Sequence, residues 1–263
     1  MKKYSFLILI IIFVCLVAGG FVFKNKPQQI LGESTQDNLK PISENFVNTV
    51  ETKSETKIET ESTIDADEKL PEKKNISEYQ IAGFPFVPQA PHGVWNEIYD
   101  EACEEASVVL VEYFSQNKSI DAQIMDGEIQ KLVNWQNQNW QGHFDLTVEQ
   151  TAQMAKEVYN LNLEIRTINS IEEIKNIITQ NQIIIAPTAG RLLGNPYFRQ
   201  PGPVYHMLVI TGFDNKDIIT QDVGTKRGEN YRYNEKILFN AIHDWNGSPE
   251  NINDGPKQIL VFS

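Results

Sequence analysis

The sequence predicts an α+β domain over residues 79–263, with helices in its first half and antiparallel strands in its second. The first observation is a helix over residues 100–114, on which apolar side chains recur at helical spacing. The second is a strongly apolar strand over residues 204–213. The third is a polar turn at 214–216 with a returning strand at 217–222, which together form a hairpin. Leading helices and trailing antiparallel strands are typical of α+β domains.

Capping residues and apolar periodicity predict the remaining elements of this domain. Thr147 and Gln150 form a capping box at the start of one helix, and Ser170 with Glu173 caps another. In chain order, the predicted elements are a helix over 124–136, a helix over 147–158, a strand over 161–165, a helix over 170–178, a strand over 183–186, a Gly- and Pro-rich loop over 188–203, a helix over 234–243 and a strand over 258–262.

The chain before this domain predicts a membrane anchor and a tether. Residues 6–23 carry no charge and are flanked by lysines, and they are long enough to cross a bilayer as a slightly short helix. We interpret residues 1–26 as an uncleaved signal-anchor that contacts membrane lipid, with cleavage after Gly19 as the lesser alternative. Residues 27–78 are polar and repetitive, which predicts a disordered tether. This organisation is typical of a single-pass bacterial membrane protein with its domain on the extracytoplasmic side.

Composition excludes some partners and cofactors. The chain has 35 Asp and Glu against 23 Lys and Arg, a net charge of -12, so it lacks the basic surface that nucleic-acid binding requires. Its two cysteines, Cys15 and Cys103, lie in separate segments, and we expect no disulfide between them. His92 and His143 have no cysteine or acidic partner at zinc-ligand spacing. We therefore predict no metal site and no cofactor.

Cys103 is the first candidate for chemistry. Asp100 is a plausible N-cap for its helix, which places Cys103 in the first turn. The helix dipole and the unpaired N–H groups there favour the thiolate, which is the nucleophilic form. The neighbouring Glu101, Glu104 and Glu105 raise a thiol pKa, so a nucleophile here needs a basic partner. The alternative is that Cys103 is a small buried apolar residue.

The hairpin supplies a candidate basic partner. If residues 214–216 form a three-residue loop, Asp222 lies opposite Leu208, and His206 lies on the same face one diagonal step away. A two-residue loop would place Asp222 on the opposite face. In the first register Asp222 orients one nitrogen of His206 while the other nitrogen faces Cys103, which is the logic of a cysteine triad. The alternatives are a core histidine and a carboxylate at a strand end.

Five segments of the sequence resemble a known family. They are Val-Pro-Gln-Ala-Pro at 87–91, Trp95, Ala-Cys-Glu-Glu-Ala-Ser at 102–107, Tyr-His-Met-Leu-Val-Ile-Thr-Gly-Phe at 205–213 and Gln-Asp at 221–222. From about Phe86 to the C-terminus the chain resembles the papain-like, stand-alone domains related to bacteriocin-processing, double-glycine leader peptidases, cysteine peptidase family thirty-nine. The resemblance implies a papain-like fold, in which an N-terminal catalytic helix packs on an antiparallel sheet.

The same resemblance implies roles for four residues. Cys103 would be the nucleophile and His206 the general base, with Asp222 orienting His206. Gln89 would help to stabilise the oxyanion, although its separation from Cys103 is longer here than in the leader-processing enzymes.

We therefore expect a membrane-anchored, extracytoplasmic cysteine peptidase or amide hydrolase that acts on a peptide or protein. One alternative is a catalytically silent module that binds a peptide or an envelope component in the same cleft. Another is an acyltransferase that uses the same Cys–His pair. An unidentified envelope partner is a further candidate for binding. The loop before the histidine strand is expected to cover the cleft, with Tyr197 and Phe198 as substrate contacts.

Overall fold

The structure is a computed structural model that describes residues 76–263. The predicted anchor at residues 1–26, and all of the predicted tether except its last three residues, lie outside the described residues. Within the described part, no helix is long and apolar enough to cross a membrane. The boundaries that we assign to the anchor, tether and domain therefore stay predictions.

Helices come first in the described chain and most strands come later. The α-helices are α1 (Glu97–Asp100), α2 (Cys103–Ser115), α3 (Ala122–Asn139), α4 (Val148–Tyr159), α5 (Ile171–Thr179) and α6 (Glu235–Ala241). The strands are β1 (Tyr79–Gln80), β2 (Glu164–Thr167), β3 (Ile183–Ala189), β4 (Tyr205–Phe213), β5 (Asp217–Gln221), β6 (Tyr231–Asn234) and β7 (Gln258–Phe262). Short 3-10 helices lie at Gly190–Leu193 and Pro249–Asp254.

The strands form one antiparallel sheet in the order β2-β7-β3-β4-β5-β6, and β1 pairs with the end of β4. Strands β3 and β4 are buried along their whole length, as expected for strands with a layer on each face. This mixed arrangement of helices and an antiparallel sheet confirms the α+β prediction.

The sheet separates two apolar cores. Met207 and Val209 of β4 pack with α2 and the helices behind it. Leu208 and Ile210 pack on the other face with residues of α5 and α6. Because side chains alternate along a strand, His206 points to the second face while its neighbour Met207 points toward α2. This alternation decides how the candidate residues approach one another.

Helix α2 is the central helix of the first core. It is buried at every position from Cys103 to Glu112, so it is covered on all sides and not only along the predicted apolar stripe. It packs on β4 on one side and on α3 and α4 on the other. Burying each of its valine and leucine side chains contributes about 1.5–3 kcal/mol. That packing fixes the start of α2 against β4.

The prediction that Asp100 caps the helix of Cys103 is wrong. Asp100 is the last residue of α1, and the N-cap of α2 is Ala102, which makes no side-chain capping bond. Helix α1 is instead capped by Asn96, whose side chain accepts from two backbone N–H groups. The polar stretch before Cys103 thus forms a short helix of its own.

The predicted strand over 161–165 begins too early, since β2 spans Glu164–Thr167. Leu161, at the start of the predicted strand, belongs instead to the C-terminal cap of α4. Asn160 adopts a left-handed conformation at the end of α4, and Leu161 N–H donates to the carbonyl of Ala155. Leu161 is buried as part of this cap, and its alternation with Leu163 and Ile165 led to the prediction of a strand.

The β4–β5 hairpin has the three-residue connection that the sequence predicted. Near the turn, however, Phe213 lies opposite Ile218, one residue away from the predicted register. A β-bulge at Thr211 shifts the pairing back by one residue. Beyond the bulge the predicted register holds, which brings Asp222 to the face of the sheet that carries His206.

Candidate active site

Cys103 is the first residue of α2 and lies directly on β4. Its Sγ accepts from the backbone N–H of Met207 at 3.3 Å, and its S–H donates to Glu104 Oε2 at 3.0 Å. The side chain is only 4% exposed. The thiol is thus held between its own helix and the strand that carries His206.

The surroundings of this thiol keep it protonated. Burial raises the pKa of Cys103 well above its ordinary value, and the carboxyl groups of Glu104 and Asp145 raise it further. The hydrogen bond from Met207 N–H acts in the opposite direction but is the smaller effect. In this arrangement burial and the acidic neighbours outweigh the helix N-terminus, which favours the thiolate.

His206 is fixed by contacts on three sides. Its Nε2 lies 2.8 Å from Asp222 Oδ1. The ring of Phe198 packs edge-on against the imidazole, with 5.3 Å between ring centroids. On a third side is Gly224, where an added Cβ would lie 2.8 Å from His206 Cε1. The other ring nitrogen, Nδ1, has no hydrogen-bond partner within residues 76–263, which leaves it available to act as a base.

Asp222 is a fully buried carboxylate with both oxygens occupied. Oδ1 accepts from His206 and from the backbone N–H of Gly224 at 3.0 Å. Oδ2 accepts from Asn195 Nδ2 at 2.9 Å and from the hydroxyl of Tyr233. Burial alone would raise the pKa of Asp222, but His206 and the other donors hold it below its usual value. Asp222 is therefore ionised, and an ionised partner favours the tautomer of His206 with its proton on Nε2.

Cys103 and His206 approach the same end of β4 from opposite faces of the sheet. The contact of Cys103 with this strand runs through the backbone of Met207, the residue next to His206. The hydrogen bonds of Sγ go to Met207 and Glu104, and none joins it to the imidazole. The structure thus brings His206 and Asp222 into contact, whereas Cys103 contacts the backbone of the residue next to His206 and makes no direct hydrogen bond to the imidazole.

Gln89 is tied to both sides of this region. Its backbone N–H donates to the carbonyl of Val223 at 2.9 Å, next to Asp222. Its Nε2 donates to the carbonyl of Tyr99 at 2.8 Å, and its buried Oε1 has no partner. Gln89 therefore links the segment after Asp222 to the segment before Cys103, but it makes no hydrogen bond to Cys103 itself.

A comparison with family models identifies the family of this chain. The model of the Peptidase_C39 like family matches residues 81–248, which include all four candidate residues. The chain belongs to this family. Family membership supports a cysteine peptidase-like hydrolase that acts on a peptide or protein.

A solved structure also resembles this member of the C39-like family. A crystal structure described as that of a C39-like peptidase from Bacillus anthracis shares 14% sequence identity, with a TM-score of 0.46. The match covers 71% of this chain and 97% of that chain. A comparison with curated proteins gave no match.

In this C39-like protein the acidic residues after Cys103 are buried. Glu104 Oε1 accepts from the backbone N–H of Leu146 at 2.8 Å, and burial followed by the charges of Glu105 and Asp145 raises the pKa of Glu104 well above its ordinary value. Neither glutamate is accessible to solvent. The sequence identified these residues as unfavourable for a thiolate but gave no sign that they would be buried.

His143 has an acidic partner that the sequence analysis missed. Its Nε2 lies 3.3 Å from Glu105 Oε1, which also accepts from Gln136. Burial lowers the pKa of His143, but the contact with Glu105 outweighs it and the pKa is raised. Within residues 76–263, no group of three or more His, Cys, Asp or Glu residues is placed to hold a metal ion.

The loop before β4 reaches the end of α1. Arg199 Nη2 donates to Asp100 Oδ1 at 2.9 Å, through side chains that are 75% and 38% exposed. Phe198 of the same loop is buried against His206, whereas Tyr197 is 47% exposed. The loop therefore contacts both His206 and a residue that precedes Cys103, and its role as a cover for the cleft stays a prediction.

Proposed function

We propose that this member of the C39-like family is a cysteine peptidase that hydrolyses amide bonds with Cys103 as nucleophile, His206 as general base and Asp222 as the orienting residue. The observation that carries the proposal is the buried contact of 2.8 Å between His206 and Asp222, on the strand residue next to the one that contacts Cys103. An ionised aspartate that accepts from Nε2 leaves Nδ1 with the lone pair that proton abstraction requires.

The reaction requires the Cys103 thiol to leave its hydrogen bonds with Glu104 and Met207 and to reach His206 Nδ1 around the end of β4. Nδ1 then takes the thiol proton as sulfur attacks the carbonyl carbon of the substrate. The imidazolium then gives this proton to the leaving amine, and the C–N bond breaks to leave a thioester on Cys103. His206 next deprotonates a water molecule that attacks the thioester. The C–S bond then breaks, the carboxylic acid product departs, and the imidazolium returns its proton to sulfur, which restores the thiol.

Gln89 is the proposed side-chain donor for the oxyanion, together with the backbone N–H of Cys103. One N–H of the Gln89 amide is bound to the carbonyl of Tyr99, which holds the side chain against α1, the helix that precedes Cys103. The second N–H remains for the substrate oxygen. A donor of this kind contributes about 100- to 1,000-fold to the rate constant kcat.

The silent binding module is the second candidate, and one observation favours it. Cys103 donates to Glu104, is nearly inaccessible, and has a pKa raised by burial and by Glu104. A thiol that stays in this arrangement does not attack a carbonyl group. The fold would then serve to recognise a peptide or an envelope component.

We also propose where this peptidase acts and which peptides to try first. The uncharged run at residues 6–23 supports an anchor in the cell membrane, with the domain on the extracytoplasmic side. The papain-like resemblance to double-glycine leader peptidases makes peptides with Gly-Gly before the scissile bond the first substrates to test.

An electrophilic peptide probe tests the proposed function on the full chain. We expect the probe to label wild type and a Cys15→Ala control, because the control removes only the second cysteine. Cys103→Ala and His206→Ala should both lose labelling while their circular dichroism spectra stay those of folded protein. Labelling of Cys103 that survives His206→Ala, or a folded wild type that no probe labels, would favour the binding module.

A further inference from the structure

Two buried side chains hold the oxygen of Asp222 that does not face His206. Tyr233 reaches it from β6, and Asn195 reaches it from the loop after the 3-10 helix Gly190–Leu193. Asn195 is 2% exposed and Tyr233 is 3% exposed, so water does not compete for these bonds. The two donors come from elements that are far apart in the sequence.

The three polar groups form a closed network. Asn195 uses one N–H for Asp222 Oδ2 and the other for the hydroxyl oxygen of Tyr233, at 2.9 and 2.7 Å. Tyr233 then donates its own hydrogen to Asp222. The remaining amide oxygen of Asn195 accepts from the backbone N–H of Tyr197 at 3.0 Å. Every hydrogen of the two side chains is used, which is the condition under which a buried polar network specifies one geometry.

We propose that Asn195 and Tyr233 are positioning residues, which hold Asp222 ionised and oriented so that His206 keeps its proton on Nε2 and its lone pair on Nδ1. This inference rests on the proposed function, because the lone pair matters only if His206 deprotonates Cys103. Neither residue touches the substrate. Both act through Asp222.

The physical reason is the number of donors that one carboxylate needs in a dry site. Asp222 receives two hydrogen bonds on Oδ1 and two on Oδ2. Without the pair on Oδ2, the buried carboxylate would bind a proton at higher pH. A protonated Asp222 no longer fixes the tautomer of His206, so Nδ1 would lose its lone pair in part of the molecules.

Asn195→Asp and Tyr233→Phe distinguish a role in orienting Asp222 from a role in folding alone. An aspartate at 195 still accepts from Tyr197 N–H, so the turn is kept, but it turns an oxygen instead of an N–H toward Asp222. Tyr233→Phe removes only one hydroxyl. Tyr231→Phe is the matched control, since Tyr231 lies on the same strand and its ring packs at a tilt against Tyr233 but does not bind Asp222.

The first readout is the pH profile of probe labelling at Cys103 in the full chain. One hydrogen bond to a charged group corresponds to about a 10- to 150-fold change. We expect Tyr233→Phe to slow labelling at neutral pH by about tenfold, at the lower end because Asn195 still donates. Asn195→Asp should slow it by about 100-fold or more, because it replaces a donor with a second carboxyl group. In both variants the acid limb should move to higher pH, which a loss of folded protein would not produce.

The second readout is the nitrogen NMR spectrum of the full chain, produced with isotope-labelled histidine. The chain contains only four histidines, so each signal can be assigned. We expect wild type and Tyr231→Phe to show His206 protonated on Nε2, and Asn195→Asp to show a mixture of tautomers. If wild type is not labelled by any probe, the proposed function fails, and this spectrum alone decides the positioning role. The inference is overturned if Asn195→Asp and Tyr233→Phe match Tyr231→Phe in both readouts, or lower only the melting temperature.

Discussion

Glu104 is the residue that most directly opposes a nucleophilic Cys103. Its Oε2 accepts the thiol hydrogen at 3.0 Å, and its charge is the second cause, after burial, of the raised pKa of Cys103. Glu104→Gln keeps an oxygen that can accept from the Leu146 N–H, which Glu104 binds at 2.8 Å. The same change turns an N–H toward Sγ, and a donor there stabilises the thiolate. We therefore expect the pKa of Cys103 to fall.

The size of the effect follows from the hydrogen bond at Sγ, where an acceptor is replaced by a donor. Hydrogen bonds to charged groups contribute about 1.5–3 kcal/mol, which corresponds to about a 10- to 150-fold larger thiolate population at any pH below the thiol pKa. Burial of Cys103 is unchanged by the substitution, so the remaining rise in its pKa persists. We expect iodoacetamide to alkylate the variant faster by a factor in this range.

The assay measures alkylation of Cys103 against pH by mass spectrometry, in full chains that carry Cys15→Ser so that one thiol remains. Glu112→Gln is the matched control, because Glu112 is another buried glutamate of α2 but binds Gln116 instead of the thiol. Glu104 does not oppose the thiolate if Glu104→Gln and Glu112→Gln have the same alkylation profile, or if Glu104→Gln is alkylated more slowly.

Three further predictions concern other parts of the site. Gly224→Ala would place a Cβ 2.8 Å from His206 Cε1. We expect the variant to lose about 1–3 kcal/mol of unfolding free energy and to be labelled by the probe at least tenfold more slowly. Unchanged labelling would contradict the tight contact. Gln89→Ala should lower kcat for peptide hydrolysis about 100- to 1,000-fold, while the rate at which iodoacetamide labels the thiol stays the same. Equal losses in both assays would argue against an oxyanion role. Asp145 has a pKa raised to about 7 by burial and by Glu101, so the folded state binds a proton that the unfolded state releases. Stability should therefore fall as pH rises from about 4 to 7, and Asp145→Asn should flatten this fall in thermal melts, whereas equal slopes would contradict it.

Local patterns predicted most of the elements that carry the candidate site. The periodicity of α2 and the apolar run of β4 are signals contained within a few residues. Strand β4 forms where the sequence placed it, and α2 forms with a later start than predicted. The three-residue turn was also readable from Asp214 to Lys216. These features depend on propensity and burial, which a single sequence reveals.

The missed features depend on contacts between distant segments. Asn195 and Tyr233 meet at Asp222 from separate elements, and no spacing rule connects them. The burial of Glu104 arises because α3 and α4 cover α2, whereas charged residues in a helix usually indicate a solvated face. The bulge at Thr211 that restores the register has no sequence signal of its own.

Cys103 and His206 are proposed to hydrolyse a peptide bond together. Incubating the full chain with a peptide library in heavy-oxygen water, with peptides containing Gly-Gly included, measures this by mass spectrometry. We expect new C-termini that carry one heavy oxygen with wild type, and none with Cys103→Ala or His206→Ala. Products joined to an added amine would instead indicate acyl transfer. Cleavage that persists in Cys103→Ala, or no cleavage by a folded wild type across the library, would contradict hydrolysis by this pair.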